Sequence, residues 1–223
     1  VDNKYVVVVN EFDYEDGVDG GCDNLGFPGV SIYDISSGID KAVLVKDMKI
    51  SHTGSNGNLA EPEGVKIAPN GTTVYMTLQE SNELGWFSIN NPPDILEDKV
   101  TFTNPEHEPD GIWVNSDGSL ICTAGEYDGT IGVHQLDSSG KPSTQSYIRM
   151  ADDLPSNWDW DDKRKGIEPE EVVIAEAGGK VFVLTTLQDA GAVVVYDITD
   201  PNNPKYDSGS ITEMNDYTSG SGG

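Results

Sequence analysis

Residues 61–89 read "EPEGVKIAPNGTTVYMTLQESNELGWFSI". Three short apolar runs are parted by Asn70-Gly71 and by the polar segment Glu80-Ser81-Asn82. Short runs rich in Val, Ile, Tyr and Thr, bounded by such turns, predict antiparallel strands. The same grammar returns at 108–136, "EPDGIWVNSDGSLICTAGEYDGTIGVHQL", and at 168–198, "EPEEVVIAEAGGKVFVLTTLQDAGAVVVYDI". Each copy opens with an acidic–Pro–acidic unit and turns at Asn70-Gly71, Asp117-Gly118 or Gly178-Gly179. Its second run is closed by an acidic residue: Glu80, Glu126 or Asp189 lies 19, 18 or 21 residues after the opening Glu61, Glu108 or Glu168. Repeat starts are 47 and 60 residues apart. Periods of about 40–60 residues with several strands per unit predict the blades of a β-propeller.

A fourth, partial copy stands at the N-terminal side. "KYVVVVNEFD" at 4–13 matches the second run, and "GVSIYDIS" at 29–36 matches the third. The strand that should precede Lys4 is missing, and Glu11 takes the place of the closing acid. The expected fold is therefore all-β: a β-propeller of about four blade-like repeats, the first incomplete. The units fall at about 4–50, 61–102, 108–150 and 168–212, forming one domain or segment over 1–212. Residues 213–223, ending "YTSGSGG", read as a flexible tail. A strand from the far terminus would complete the first blade, but membership in a larger or assembled propeller is the favoured expectation.

The chain carries 39 acidic and 13 basic side chains, a net charge of −26. So acidic a surface repels nucleic acid and anionic membranes. It suits divalent cations or a basic partner, and it also serves plain solubility. No apolar run reaches the ~18–20 residues of a membrane span. No signal peptide is visible at Val1, which a processed N-terminus would also explain. The two cysteines, Cys22 and Cys122, lack metal-type spacing, and a disulfide between them is one reading. Asn70-Gly71-Thr72 is a glycosylation sequon as well as a turn.

In a propeller the first strand of each blade lines the central channel. The repeated opening would then ring one mouth with Glu61, Glu63, Glu108, Asp110, Glu168 and Glu170. Crowded carboxylates repel, and calcium, which accepts six to eight oxygens in flexible geometry, relieves that repulsion. The competing reading is structural: proline fixes the strand opening, the carboxylates accept backbone hydrogen bonds, and duplication copies both. "DYEDGVDGGCDN" at 13–24 is acidic but lacks EF-hand spacing. "NWDWDD" at 157–162 offers Trp158 and Trp160 to a glycan or protein partner, or to packing. His52, His107 and His134 are too dispersed to form a zinc cluster.

Several of these phrases resemble the choice-of-anchor I propeller proteins. "EPEGVKIAPNGTTVYMTLQESNEL" is similar to that family's E-P-E, strand, turn and L-Q-E-N-N string. "GIEPEEVVIAEAGGKVFVLTTLQDAGAVVVYDITDPNNPKY" resembles its second hallmark, and "VVVVNEFD" its A-N-E-G-D. The group includes mesenchyme-specific cell surface glycoproteins, and some members carry alkaline-phosphatase-like labels. The chain departs from it in being shorter, in Glu171 where Gly is expected, and in Gln188-Asp189 for the usual Glu-Arg.

The resemblance implies a propeller that is extracellular or on the cell surface. Together with rim positions that look alike in every copy, it yields the leading expectation of a non-catalytic structural, adhesion or binding module stiffened by calcium. Its partners would be proteins, glycans or copies of itself. The alternative is a calcium-dependent hydrolase, a phosphoesterase or lactonase, with its site in the channel and Lys66 as the nearby cation. Catalysis would demand channel residues that differ between the copies.

Overall fold

The computed structural model describes residues 4–10, 28–50, 60–154, 167–188, 191–207 and 212–213. Four antiparallel sheets follow one another along the chain, each built from consecutive strands. The first holds β1 (Tyr5–Asn10), β2 (Gly29–Asp34) and β3 (Val43–Lys49). The second holds β4 (Pro62–Ile67), β5 (Thr73–Leu78), β6 (Glu83–Ser88) and β7 (Lys99–Thr101). The third holds β8 (Pro109–Val114), β9 (Leu120–Gly125), β10 (Thr130–Leu136) and β11 (Pro142–Arg149). The fourth holds β12 (Pro169–Ala177), β13 (Lys180–Leu187) and β14 (Ala192–Asp197). Its outer strand is split into β15 (Lys205–Tyr206) and β16 (Thr212–Glu213), both paired with β14. Helix among the described residues is limited to single turns at Ile39–Lys41 and Met150–Asp152.

This is the bladed all-β architecture that the repeat predicts, with three strands in the first sheet. The tight turns set the registers. At the first, Gly71 takes φ +70°, open to a residue without Cβ, and donates its N–H to the Ala68 carbonyl. The Asn70 carboxamide accepts from the N–H groups of Thr72 and Thr73, each at 2.9 Å, so the sequon asparagine holds its own turn.

The acidic–Pro–acidic openings begin the inner strands β4, β8 and β12. All three carry the same irregularity: the pairing register shifts between Pro62 and Val65, between Pro109 and Ile112, and between Pro169 and Val172. Two residues on each inner strand are thus left out of the ladder, as in a β-bulge. These are Glu63-Gly64, Asp110-Gly111 and Glu170-Glu171.

Sheet packs on sheet through apolar faces. Val30, Ile32 and Met48 of the first sheet meet Val74, Met76 and Leu78 of the second. Tyr75 and Leu84 of the second meet Ile112, Val114 and Ile121 of the third. Cys122, Ala124 and Val133 of the third meet Val172, Val183 and Val194 of the fourth. Cys122 is a buried free thiol whose pKa burial pushes up, and Cys22 lies outside the described residues.

Polar links cross the same junctions. Tyr75 donates its hydroxyl hydrogen to the Gly140 carbonyl at 2.6 Å, and Glu176 accepts from the Ser116 N–H and hydroxyl. The tightest approach is at the inner strands. A Cβ on Gly64 would lie 2.7 Å from the Asp110 carbonyl oxygen, and one on Gly111 would lie 2.7 Å from the Glu171 Cα. Thr77 closes the first of these gaps: its hydroxyl accepts from the Gly64 N–H at 2.7 Å and donates to the Asp110 carbonyl at 2.6 Å.

Gly111→Ala must therefore push two inner strands apart. We expect it to cost about 1–3 kcal/mol, the usual range for overpacking, read as a lower midpoint in denaturant. Thr77→Val leaves the Asp110 carbonyl and the Gly64 N–H without their shared partner and should cost a similar amount. Parental midpoints in both variants would refute this account of the junction.

Candidate active site

The bulges aim one carboxylate from each inner strand at a common place. Asp110 is the middle member. Its pKa is pushed up to about 8, first by burial and then by Glu170, to which it is also hydrogen-bonded, with Glu63 and Glu126 adding further negative charge. Burial and the neighbouring carboxylates make ionising Asp110 costly, so Asp110 keeps its proton near neutral pH, hydrogen-bonded to Glu170.

Of the six carboxylates expected at the rim, the structure thus brings together Glu63, Asp110 and Glu170. The other three stand immediately before the prolines. Glu168 is buried and its Oε2 accepts from the Gln188 side chain at 3.2 Å. Glu108 donates its N–H to the Asn82 side-chain oxygen at 3.2 Å. Glu108 and Glu168 have φ of +42° and +46°, a left-handed conformation that is costly for a residue with a side chain, while Glu61 does not. Among the described residues, no group of three or more His, Cys, Asp or Glu side chains is disposed to hold a metal ion. Trp158 and Trp160 lie outside the described residues.

Backbone pairing corrects the sequence alignment of the closing acids. The N–H of Gln79 donates to the Glu61 carbonyl, that of Glu126 to Glu108, and that of Gln188 to Glu168. Gln79, Glu126 and Gln188 are therefore equivalent, not Glu80, Glu126 and Asp189. Glu126 is the odd acid where two copies carry glutamine. Its Oε2 accepts a hydrogen bond from the Gln79 side chain across the blade junction. Matching carboxylates by type hid this; matching the residue that pairs back to the opening glutamate would have found it.

Further along the inner strands the copies differ again. Lys66, Trp113 and Val173 occupy the same position, three residues beyond Glu63, Asp110 and Glu170. The Lys66 ammonium sits 3.0 Å from the centre of the Trp113 ring, a cation–π contact. Burial lowers its pKa, and the nearby Glu171 carboxylate opposes that shift.

Behind the mouth, the two histidines that seemed dispersed converge. His107 and His134 are fully buried, and the Thr123 hydroxyl lies 2.8 Å from Nε2 of one and 3.0 Å from Nε2 of the other. His107 Nδ1 lies 2.9 Å from the Thr130 hydroxyl. Burial depresses both rings, His134 to about 3, so they are neutral at pH 7. A Cβ on Gly125 or Gly132 would collide with this group, so the glycines make its room. It braces the third blade and has no open side.

With this geometry in view, the comparisons with known proteins follow. No protein-family model matches the chain. A curated 6-phosphogluconolactonase of Serratia proteamaculans (strain 568) is 27% identical over 143 residues, 64% of this chain and 38% of that one. The periplasmic gluconolactonase PpgL of Pseudomonas aeruginosa superposes with a TM-score of 0.64 at 14% identity, covering 92% of this chain and 53% of that one. A candidate 6-phosphogluconolactonase of Bacteroides uniformis gives a TM-score of 0.58 at 13% identity, covering 83% and 52%. The chain thus spans well under two thirds of the curated relative and about half of these structures. Such structural likeness establishes the β-propeller fold.

These findings correct two expectations. The resemblance to the choice-of-anchor I proteins is overturned, because the curated relative found is a 6-phosphogluconolactonase and lactonases stand among the structural neighbours. The reading as a non-catalytic adhesion or structural module of the cell surface falls with it. That reading also rested on rim positions alike in every copy, and Glu126, Lys66 and Glu171 break that likeness. No helix among the described residues is long and apolar enough to cross a membrane.

The proton that Asp110 retains has a thermodynamic signature. The unfolded chain releases it near the ordinary carboxylate value of about 4, whereas the folded chain keeps it to about 8. The folded state binds more protons between these limits, so its stability falls as pH rises through that interval. Asp110→Asn removes the titrating group and should flatten this fall, with a higher Tm than the parent at pH 8. An unchanged pH slope in the variant would place the proton elsewhere.

Proposed function

We propose that the channel mouth hydrolyses the ring ester of an uncharged sugar lactone. The observation that carries this reading is the hydrogen bond between two carboxyl groups at one mouth, Asp110 and Glu170, with Asp110 half-buried among further carboxylates. The pair offers a carboxylate and a carboxylic acid side by side at neutral pH, which are the two groups ester hydrolysis needs. The lactonase relatives support the same chemistry.

In this mechanism the ionised member of the pair takes a proton from water as the hydroxide oxygen bonds to the lactone carbonyl carbon. The carbonyl electrons move to oxygen, and Lys66 is the one cation of the inner strands available to face that charge. The tetrahedral adduct then collapses, the bond from carbonyl carbon to ring oxygen breaks, and the ring oxygen takes the proton from the neutral member. The open-chain product is a hydroxy acid. It ionises, and the surrounding Glu63 and Glu126 carboxylates favour its departure.

The same charges select the substrate. A phosphorylated lactone would bring a dianion to a mouth lined by four carboxyl groups on a chain of net charge −26. An uncharged lactone escapes that repulsion. We also propose a location outside the cytoplasm, which the acidic surface and the periplasmic Pseudomonas neighbour support. Fractionation of the source cells checks it, and recovery with cytoplasmic markers would refute it. Calcium enters as a competitor for the proton: if the same carboxylates bind it, millimolar Ca²⁺ should raise the Tm of the parent and not of Asp110→Asn.

Glucono-δ-lactone hydrolysis, followed by pH-stat and corrected for the spontaneous reaction, tests the proposal. Asp110→Asn and Glu170→Gln should each lower kcat by about 10²–10⁴-fold, the usual contribution of acid–base groups. Parental kcat should decline as pH rises through about 8, where Asp110 loses its proton. The 6-phosphorylated lactone should show a kcat/KM at least about tenfold lower. Full activity in both variants would sink the mechanism, and a preference for the phosphorylated lactone would sink the substrate assignment.

A further inference from the structure

The third sheet buries different chemistry from its neighbours. The residue before each opening glutamate is Ala60, His107 or Ile167, and all three are buried. At one paired position the strands β5, β9 and β13 carry Met76, Thr123 and Thr185. The strands that follow carry Phe87, His134 and Tyr196 at another. Only the third copy has a polar group at all three places, and there they join in one hydrogen-bonded chain.

Donor counting fixes the direction of that chain. Burial alone would raise the Asp128 carboxyl, but the His107 ring, Thr130 and Asn104 together hold it below the usual carboxylate range. It is therefore ionised and only accepts. The Thr130 hydroxyl gives it its single hydrogen at 2.7 Å. Toward His107 that oxygen must accept, so His107 carries its hydrogen on Nδ1, 2.9 Å away. Nδ1 is 3.8 Å from Asp128 itself, so the link runs through Thr130. His107 Nε2 is then bare and accepts from the Thr123 hydroxyl at 2.8 Å. Thr123 has no second hydrogen, so His134 donates to it from Nε2 at 3.0 Å. This leaves His134 Nδ1 bare, and it is the ring nitrogen without a hydrogen-bond partner. The chain runs one way, from His134 to Asp128, with each hydrogen used once.

Its end joins the two segments that supply the mouth. Asp128 stands two residues after Glu126, in the turn between β9 and β10. It also accepts from the Asn104 side chain and the Thr130 N–H. Asn82, from the second sheet, donates to the Asn104 carbonyl at 2.8 Å and accepts from the Glu108 N–H at 3.2 Å. The loop that leads into Glu108, Pro109 and Asp110 is thus held from both sides. The fourth sheet manages the same left-handed opening differently. There Glu168 follows the apolar Ile167, and the Gln188 side chain donates to its carboxylate. Glu126 stands at the place of Gln188, and a glutamate carboxylate has no N–H to offer Glu108. The acid that adds negative charge around Asp110 therefore takes a donor away from the opening beside it.

We propose that His107 is a positioning residue for the mouth: its one-way chain through Thr130 to Asp128 holds the Glu108 opening, and with it Asp110, where the fourth sheet uses a glutamine. A left-handed glutamate persists only where its surroundings over-determine it, and the chain supplies that constraint. A fully satisfied buried network of this kind also fixes one arrangement of its segments. The third sheet then carries an acid at 126 and still presents Asp110 to Glu170. The kinetic consequence rests on the lactone reading, whereas the hydrogen positions and the dependence of His107 on Glu126 do not.

Long-range proton–nitrogen correlation spectra of the full chain, labelled in its imidazole nitrogens, test the chain at neutral pH. The hydrogen should lie on Nδ1 of His107 and on Nε2 of His134, and the other tautomer on either ring would overturn the proposal. His107→Ile, which copies the fourth sheet, should lower the denaturant midpoint. Glu126→Gln supplies the missing donor while its oxygen still accepts from Gln79, so the drop caused by His107→Ile should be at least about twofold smaller in that background. Equal drops in both backgrounds would refute the positioning role. Should His107→Ile fail to fold, His107→Gln, which keeps an N–H for Thr130, carries the same comparison. In glucono-δ-lactone hydrolysis the folded variant should lose about 10–10²-fold in kcat with KM within about twofold, as expected for a displaced acid. Parental kcat in a folded variant would also overturn the proposal. Full activity of Asp110→Asn alongside the expected tautomers and coupling would sink the lactone reading and leave the support of the Glu108 opening standing.

Discussion

The structure turns on how closely successive inner strands approach one another. Gly64 and Gly111 let one backbone reach the next, and the Thr77 hydroxyl ties the first such pair together. The bulge on each inner strand is part of the same arrangement. It takes two residues out of the ladder, so one can lie flat against the neighbouring strand while the other points at the channel. The acidic side chain and the glycine of "EPEG" and "EPDG" are thus two halves of one device. A strand without the bulge would have to choose between packing and presenting a carboxylate.

That device also accounts for the electrostatics of the mouth. Close strands bring their carboxylates close, and partial burial keeps water from screening them. The cheapest relief available to the chain is to retain a proton, which is what raises Asp110. The cost is a native state that loses stability as that proton becomes harder to keep. Active sites commonly hold such unfavourable charge because the same arrangement is useful in the reaction. The left-handed glutamates before Pro109 and Pro169 are a second local expense at the same end of the inner strands.

Much of this was legible in the sequence. Period, turn glycines and alternating apolar runs predict four sheets and a short first one, because each is a local pattern of strand chemistry. Glu63, Asp110 and Glu170 are also foreseeable, since their place in the repeat puts them on inner strands. The bulge was not, because a register shift depends on pairing across strands and leaves only a weak mark in one of them. Nor was the convergence of His107 and His134, which lie on different segments and meet only through Thr123. The alignment of Glu126 with Glu80 and Asp189 failed because residue type outweighed hydrogen-bond position. The functional reading failed for the same reason, since that alignment made the rim look uniform.

The non-uniformity is what separates a duplicated scaffold from a site. Duplication gives every blade the same opening, and equal carboxylates around a mouth have no distinct roles to play. Here one position carries Gln, Glu and Gln; another carries Lys, Trp and Val; a third carries Gly, Gly and Glu. Each departure falls on or beside the inner strands. Glu126 deepens the negative field that keeps the Asp110 proton, while Lys66 supplies positive charge on the other side of the bulge. A mouth of identical blades would only concentrate cations, whereas in the proposed reaction these departures help Asp110 keep its proton beside Glu170 and give the mouth a direction.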